Sequence, residues 1–482
     1  MTALRDDPAL GATHSGSSGA ADLREHKGAL VRAVEELLRH APYAHALAQT
    51  KDGTSFRATT RSTAIEPVEP VRGAVLSAWT GRTLLEVTTP TLDEHDLTAA
   101  TKQLTDMVQR EGLVSAGPRI DPGTALERDF LVPERLPAES ASLDERLARA
   151  VAVKERVHAK DARVKNAIAR ATHLRTQELF IGPTRRLYQD LRRAELVAVV
   201  VMEQDGHAAD LHGGTGRQGG LEHMTLADED IDKLVEDCAR LMKAERVPGG
   251  TYRCVFSPDM AGLFAHEAFG HGTEADMFTK RRAKGADYMG KPVASALVDM
   301  FDNPALPGQA ASYFFDHEGQ LASSTQIITR GVLTAPMTDL VSASKLGIPR
   351  SANGRRESVA RKAYTRMSNT YFGAGTHKHE ELVASLDDGL LVRHARNGME
   401  DPKGWGIQCE AYMADEVKGG QKTGRVFGPV IVTGYVPDLL MSIDGVSDGV
   451  EIGGLGMCGK GYKEWVKVTD GGPSLRLLAR VA

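Results

Sequence analysis

The amino-acid sequence predicts an α+β protein with two domains. Before about residue 248, stretches with helical periodicity alternate with strand-like runs. After it, short β-like runs are separated by glycine and asparagine turns. These patterns predict a mixed α/β layer in an N-terminal domain and a largely antiparallel β domain in the C-terminal half. The predicted limits are 1–22 for a disordered segment, 23–248 for the N-terminal domain and 249–482 for the C-terminal domain.

The N-terminal half carries four helical patterns, in which apolar residues repeat at helical spacing. The fourth begins at three consecutive acidic residues, which favour a helix N-terminus. The predicted helices are 24–40, 93–109, 143–160 and 228–246. The predicted strands lie in 46–89, 163–171 and 196–202, and a loop is predicted over 112–138.

The C-terminal half has the pattern of short strands. The runs 324–330 and 426–434 are rich in β-branched residues and end at or just before a glycine. The clearest helix after them is 379–386. A further helix is predicted over 258–271, at the boundary between the two domains.

Composition excludes several classes of protein. The chain has 482 residues, of which 41% are apolar and 26% charged, as is usual for a soluble globular protein. A net charge of −5 gives no sign of a nucleic-acid or anionic-membrane binder. No apolar run reaches the length of a membrane span, and residues 1–22 lack the apolar core of a signal peptide. A cytoplasmic location is therefore the expectation.

The four cysteines do not form a disulfide framework or a C-x-x-C pair. Cys238 lies in a helical pattern, and Cys254 and Cys409 lie in strand-like runs, so all three are expected to be packing residues. Cys458 differs, because glycines crowd the sequence on both sides of it. A loop of this kind has few side chains to pack against a thiol, but it can bring a thiolate close to an ion.

The segment 266–271, HEAFGH, has the residue types of a zinc site. Neutral imidazoles such as those of His266 and His271 are good zinc ligands. A neighbouring carboxylate such as Glu267 can take a proton from water at the metal. Each histidine is equally compatible with an ordinary core or surface position, so a metal site requires a third ligand elsewhere in the chain.

The spacing of the two histidines conflicts with a regular helix. At about 100° per residue, positions five apart are about 140° apart and do not share a face. The helix must therefore kink, bulge or stop before His271. Gly270 tolerates the left-handed dihedrals of a helix C-terminus, and Gly272 follows closely. We expect His266 and Glu267 on the last turn of the helix, and His271 at or just past its end.

The segment 214–219 matches the pattern G-x-G-x-x-G. A dinucleotide fingerprint requires a strand before the glycines and a helix that opens at them. No helical pattern begins until Asp228, so a nucleotide site is not expected here.

With these motifs the chain resembles the TldD/PmbA metallopeptidase family, in particular its catalytic TldD-type branch. Five segments match motifs of that branch and occur in the same order. They are HEAFGHGTE at 266–274, FDHEG at 315–319, NGRRES at 353–358, RMSNTY at 366–371 and GMCGK at 456–460.

The resemblance implies one zinc ion per chain, with His266, His271 and Cys458 as ligands and Glu267 as the general base. It also implies a peptidase for small or unfolded peptides, which enter an enclosed chamber and bind partly through their main chain. The expected assembly is a homodimer, or a heterodimer with a PmbA/TldE-like non-catalytic subunit. The alternative is that this chain is itself the non-catalytic partner. No nucleic-acid or membrane partner is expected.

The chain departs from the family pattern after the cysteine, at 459–463, and near its end, at 473–477. Both regions border the substrate channel that the resemblance implies. The peptide that is cleaved, the exo- or endopeptidase mode and the substrate-binding residues therefore stay open, and a specialised processing or maturation role is as compatible as general proteolysis.

The roles of two pairs of residues have more than one interpretation. Glu274 and Asp276 could orient the metal ligands or be ordinary loop carboxylates. Arg355 and Arg356 could bind a peptide carboxylate, although a structural ion pair with Glu357 or another acid is favoured.

Overall fold

The computed structural model describes residues 22–461 and 463–482. The segment predicted to be disordered, 1–22, lies outside the described residues except for its last position. The α+β class is confirmed, with strands in both halves and helices packed on the sheets. The division into domains at 248 and 249 stays a prediction. No helix in the described part of the chain is both long and apolar enough to cross a membrane.

The N-terminal half is built on one large sheet with the order β4-β3-β1-β6-β7-β5, where β2 also pairs with β1 and β8 with β7. Its neighbours are antiparallel, except that β5 runs parallel to β7. The strands are β1 (Tyr43–Ala58), β2 (Thr63–Pro67), β3 (Val71–Trp79), β4 (Leu84–Thr89), β5 (Leu126–Leu131), β6 (Val164–Ile181), β7 (Arg185–Gln204) and β8 (His207–Gln218).

Helices cover this sheet with their apolar faces, as their periodicity predicts. In α3 the hydroxyl of Ser142 and the carboxylate of Glu145 form a reciprocal cap, which fixes where the helix begins. In α4 the apolar face packs into the core of β7 and β8. The helices are α1 (Lys27–Leu38), α2 (Glu94–Glu111), α3 (Leu143–Ala159) and α4 (Asp228–Leu241), and short 3₁₀ turns lie at Leu23–His26, Ala138–Ser140 and Leu221–His223.

Two predictions for this half require correction. The helix predicted to reach 246 ends at Leu241, because the Glu245 N–H donates to the Val426 carbonyl oxygen and joins this segment to a strand. The loop predicted over 112–138 contains β5, a largely exposed strand without the alternating apolar pattern that would reveal it.

The C-terminal half has a seven-stranded sheet within the described residues, in the order β16-β9-β25-β19-β17-β18 with β20 on β25. A second sheet has the order β12-β11-β10-β15-β24-β21. The pairs β9–β16 and β15–β24 are parallel and the others antiparallel, which agrees with the expectation of a largely antiparallel domain. The strands of the two sheets are β9 (Gly250–Phe256), β10 (Met300–Asp302), β11 (Thr325–Thr329), β12 (Val332–Leu333), β15 (Asn369–Phe372), β16 (Asp388–Asp401), β17 (Gly406–Lys418), β18 (Gln421–Phe427), β19 (Val430–Tyr435), β20 (Gly445–Val446), β21 (Glu451–Ile452), β24 (Thr469–Gly472) and β25 (Leu475–Val481).

Two hairpins and five short helices complete this half within the described residues. The hairpins are β13 (Gly354–Arg355) with β14 (Tyr364–Thr365), and β22 (Met457–Lys460) with β23 (Lys463–Lys467). The helices are α5 (Pro258–Ala265), α6 (Ala275–Thr279), α7 (Leu340–Leu346), α8 (His379–Ala384) and α9 (Val436–Met441), and a 3₁₀ turn lies at Lys284–Tyr288.

Helix α5 lies in the core between the two C-terminal sheets. Phe264 on this helix packs against Phe256 of β9 and Phe372 of β15, with ring centroids 5.8 and 6.1 Å apart. A Cβ atom at Gly262 would lie 2.4 Å from the backbone nitrogen of Gly471, so a glycine is required for the close approach to β24. This packing fixes where the C-terminal end of α5 points.

The segment 214–219 has a packing role. It lies mainly in strand β8 and no helix opens at it, as expected. A Cβ atom at Gly216 would lie 2.3 Å from the carbonyl oxygen of Gly454, and one at Gly454 would lie 1.9 Å from that of Gly216. The two backbones touch where the N-terminal sheet meets the loop that leads to Cys458.

Replacing Gly216 by alanine should destabilise the protein by about 1–3 kcal/mol, because the new methyl group overlaps the Gly454 carbonyl. The matched control is Gly213→Ala on the same strand, where the nearest atom, Leu234 Cδ1, is at an ordinary 3.4 Å. Urea unfolding of both variants measures the difference. Equal free energies of unfolding would contradict this contact.

Candidate metal centre

The helix that carries the first histidine ends in a π turn. Helix α5 stops at Ala265, and residues His266–Gly270 form one turn in which the His271 N–H donates to the His266 carbonyl oxygen. A 3₁₀ turn, His271–Thr273, follows directly. An i→i+5 turn holds more residues than an α-helical turn, so positions five apart return to nearly the same face. The off-period spacing is thus accommodated by a bulge.

The prediction that His266 and Glu267 lie on the last turn of the helix, with His271 just past its end, agrees with this geometry. The predicted span of 258–271 is too long for the α-helical part, which ends at Ala265. Gly270 does not adopt a left-handed conformation, since its φ is −59° and its ψ −62°. It is required for another reason, because a Cβ atom there would lie 2.1 Å from Met367 Sδ.

The structure brings the three predicted ligands together. His266 Nε2 lies 3.1 Å from Cys458 Sγ, and His271 Nε2 lies 3.3 Å from the same sulfur. All three ligand atoms lie within 4.8 Å of one another. Around a tetrahedral zinc ion, a sulfur and a nitrogen ligand would be separated by about 3.5 Å. The donor set of two imidazoles and a thiolate, at this spacing, fits zinc.

Cys458 sits on the short strand β22, in a hairpin, where sequence alone predicted a glycine-rich loop. Its side chain is buried with 5% exposed. Burial alone would raise the pKa of the thiol, but the neighbouring His266 and His271 outweigh it and hold that pKa at about 4. Charge on the sulfur in turn raises the pKa of both histidines against the effect of burial. The electrostatics favour a thiolate at this position.

A guanidinium group supports the thiolate directly. Arg366 Nη2 donates to Cys458 Sγ and to the Cys458 carbonyl oxygen, both at 2.9 Å. The Arg366 side chain is fully buried, and its Nε lies 3.3 Å from Glu274 Oε1 as an ion pair. The sequence alone predicted no role for Arg366, because a single arginine that is far in sequence from the three candidate ligands carries no local signal.

The sequence left the roles of Glu274 and Asp276 open, and the structure shows that Glu274 contacts the candidate ligand His271. Its Oε2 lies 3.4 Å from His271 Nδ1 and 3.0 Å from Lys460 Nζ. Burial would raise the pKa of Glu274, but Lys460 and His271 lower it far below its usual range. Asp276 does not reach the ligands and pairs with Lys460 Nζ at 2.6 Å. Lys460 is two residues after Cys458 on β22, but a bulge between them interrupts the regular alternation, so the sequence carried no signal for its role.

The other imidazole has no such support. Nδ1 of His266 is buried and no described residue is hydrogen-bonded to it. The candidate site is therefore asymmetric: His271 is oriented by a carboxylate and His266 by packing.

Glu267 faces a cleft that Glu274 does not line. Glu267 and His266 line this cleft, which has a volume of about 940 Å³. A Cβ atom at Gly398 would lie 2.3 Å from Glu267 Cγ, so this glycine of β16 makes room for the carboxylate. The structure thus places the predicted base beside the predicted ligand His266, at the wall of a cleft large enough for a peptide segment.

Arg355 and Arg356 bind other groups of the protein itself. Arg356 Nη2 lies 2.8 Å from Glu86 Oε1, and its Nη1 donates to the Arg361 carbonyl oxygen. Arg355 donates to the carbonyl oxygen of Met367. The favoured reading, an ion pair with a nearby acid, describes Arg356, with Glu86 as the acid.

The fold and site together define an α+β protein with a candidate metal centre of two imidazoles and a thiolate beside a cleft. Residues 249–481 match the family described as PmbA/TldA metallopeptidase C-terminal domain. A metalloprotease from Methanothermobacter thermautotrophicus is 34% identical over 270 residues, which are 55% of this chain and 58% of that protein. A zinc metalloprotease TldD homolog from Saccharolobus solfataricus is 28% identical over 244 residues, 49% of this chain and 52% of that protein.

Residues 249–481 thus match the C-terminal domain of the PmbA/TldD metallopeptidase family, which confirms the resemblance seen in the motifs. The matched part of the chain spans between half and three fifths of the length of these two relatives. The fold of the chain is also that of TldE from Thermococcus kodakarensis, with a TM-score of 0.75 and 15% identity over 94% of this chain and 100% of that one.

The thiol of Cys458 should titrate near pH 4 in chelator-treated protein, so it is a thiolate at neutral pH and protonates as the pH falls. Burial raises the pKa of Cys238 and Cys254 to about 12, and that of Cys409 well above its usual value, so these thiols stay protonated. Ultraviolet thiolate absorbance against pH measures this. The signal should vanish in Cys458→Ser and persist in Cys254→Ser; a transition near pH 9 would contradict it.

Replacing Glu274 by glutamine should weaken zinc binding about 10–100-fold, because His271 loses the carboxylate that orients its ring. Asp276→Asn is the control, since this acid touches Lys460 but no ligand. Competition with a chromophoric chelator measures both affinities. An equal loss in the two variants would show that general charge, rather than orientation of His271, controls the affinity.

Proposed function

We propose that this protein is a zinc-dependent metallopeptidase that hydrolyses peptide bonds of small or unfolded peptides. His266, His271 and Cys458 would hold one zinc ion per chain, and Glu267 would be the general base. The observation that carries the proposal is the approach of the three ligand atoms to within 4.8 Å, next to a carboxylate on the cleft wall. The metalloprotease names of the relatives, one of them a zinc metalloprotease, support it.

Zinc, when bound, supplies a Lewis acid that activates water and polarises a peptide carbonyl. The protein supplies the rest of the chemistry. Glu267 takes the proton of the attacking water and passes it to the leaving amine. Arg366 and Glu274 hold Cys458 and His271 in place, so the ligands do not reorganise during the reaction.

The cleft offers a peptide backbone a strand edge that is partly open, since only the Ala395 N–H at its start is bonded to a described side chain, that of Asp259. Strand β16 pairs with β17 on one side along its whole length, residues 388–401, and with β9 on the other side over residues 389–392 only. Beyond Val392, no described strand pairs with β16 on the β9 side, and the cleft lies there, next to Arg396, Asn397 and Gly398. A peptide can add to this edge through main-chain hydrogen bonds, which would allow binding without strict sequence preference.

The alternative of a non-catalytic partner subunit is less well supported. Such a subunit has no need of two imidazoles, a thiolate and a carboxylate in one place. We propose that the chain assembles as a homodimer or with a TldE-like partner, as the likeness to TldE suggests. Size-exclusion chromatography of the chain alone and with a candidate partner distinguishes the two assemblies.

Replacing Glu267 by glutamine should keep zinc at one per chain and reduce peptide hydrolysis by at least about 100-fold, because the amide cannot accept a proton. Glu203→Gln is the control, since Glu203 is an exposed acid at the end of β7, among residues that do not line the cleft. Zinc content and cleavage of a mixed peptide library are measured together. Retained turnover in the Glu267 variant would place the base elsewhere, and a native protein that cleaves peptides without metal would refute the proposal.

A further inference from the structure

A second cavity lies on the other side of the hairpin that carries Cys458. It has a volume of about 400 Å³ and is enclosed by β1, β6 and β7 of the N-terminal sheet and by β23. Met457 lines both this cavity and the cleft beside Glu267. The cavity is thus a neighbour of the candidate metal centre, but none of the three ligands lines it.

The walls of this cavity are strongly basic. Four of the basic groups already have partners. Arg356 pairs with Glu86, and Lys467 pairs with Glu195 at 2.6 Å. Arg355 donates to a backbone carbonyl, and Arg170 Nε donates to Ser55 Oγ at 2.9 Å. The six basic residues in the walls are Lys51, Arg170, Arg193, Arg355, Arg356 and Lys467.

The four acidic residues of the cavity also have partners. Glu195 pairs with Lys467, and Glu357 accepts a hydrogen bond from the Glu464 N–H. Glu178 accepts hydrogen bonds from Gln49 and Gln189 and lies 3.0 Å from His317 Nε2. Asp316 accepts from the backbone N–H groups of its own turn and of Gly354. Their negative charge is therefore already held by other groups.

Lys51 and Arg193 are left without a direct ion-pair partner, although Glu195 acts on both of them at longer range. Neither side chain has a hydrogen bond or an ion pair to any described residue, and Arg193 Nε is buried. Burial, followed by repulsion from Arg193, lowers the pKa of Lys51. Burial, followed by repulsion from Arg355, lowers the pKa of Arg193 to about 10. Two unpaired cations in one partly closed cavity are costly unless an anion joins them.

We infer that this cavity is a binding site for an oxyanion, a carboxylate or phosphate group that Lys51 and Arg193 hold together. The planar guanidinium of Arg193 can offer two parallel donors to two oxygens of the ligand, and the ammonium of Lys51 adds a point charge. The site does not depend on hydrolysis at the metal centre, so binding alone tests it.

The two sources of the oxyanion give different results in calorimetry. The probes are inorganic phosphate, and a short alanine peptide with either a free C-terminal carboxylate or a C-terminal amide. The Glu267→Gln background is used for the peptides, so that turnover does not interfere. Tighter binding of phosphate identifies phosphate as the ligand; binding of the acid but not the amide identifies a peptide carboxylate.

Arg193→Gln and, separately, Lys51→Met should each weaken the binding of the favoured probe about tenfold or more, because each removes one charge-assisted contact. The matched controls are Arg186→Gln on β7 and Lys165→Met on β6, neither of which lines the cavity. Two independent variants guard against misfolding of either one. The absence of saturable binding of every probe, or equal affinity in the variants and controls, would overturn the inference, whatever the outcome for peptide hydrolysis.

Discussion

The candidate centre depends on one buried thiolate that three cationic or ionisable groups contact at once. Cys458 Sγ meets His266, His271 and Arg366 at 3.1, 3.3 and 2.9 Å. A buried thiolate without such partners would be too costly to form. Behind these groups Glu274 balances Arg366 and Lys460, so that the charges form a closed network. Such a network loses most when a single member is removed, because the remaining charges then lie buried and unpaired.

The approach of the histidines to this sulfur rests on backbone geometry. The i, i+5 spacing implied a kink, a bulge or an end of the helix, but nothing local in the sequence selects among the three. The π turn lies among close tertiary contacts: Gly262 approaches the backbone of β24, and Gly270 approaches the side chain of Met367. Both partners are more than ninety residues away in sequence, so periodicity and local propensity could not have revealed them.

The sequence was most informative where residue type and local period coincide. It indicated the α+β class and the N-terminal helices within a few residues. The candidate ligands and the candidate base came from the family motifs. It missed β5, the hairpin around Cys458 and the roles of Arg366 and Lys460. Strand β5 and the roles of Arg366 and Lys460 depend on contacts between segments far apart in the chain. The hairpin around Cys458 is local, but its strands are too short to show a regular apolar pattern. The segment 214–219 is the opposite case. It matches a nucleotide-binding pattern, but its Gly216 serves a close backbone contact with Gly454.

The candidate metal centre, the cleft and the basic cavity all lie next to the hairpin of β22 and β23. Strand β22 presents Cys458 to the histidines, while Met457 faces both the cleft with Glu267 and the basic cavity. X-ray absorption at the zinc edge of the metal-loaded protein identifies the ligand atoms themselves. We expect one sulfur at about 2.3 Å and two imidazole nitrogens at about 2.0–2.1 Å, with the sulfur lost in Cys458→Ser. A zinc shell without sulfur, or one that is unchanged in that variant, would contradict this ligand set.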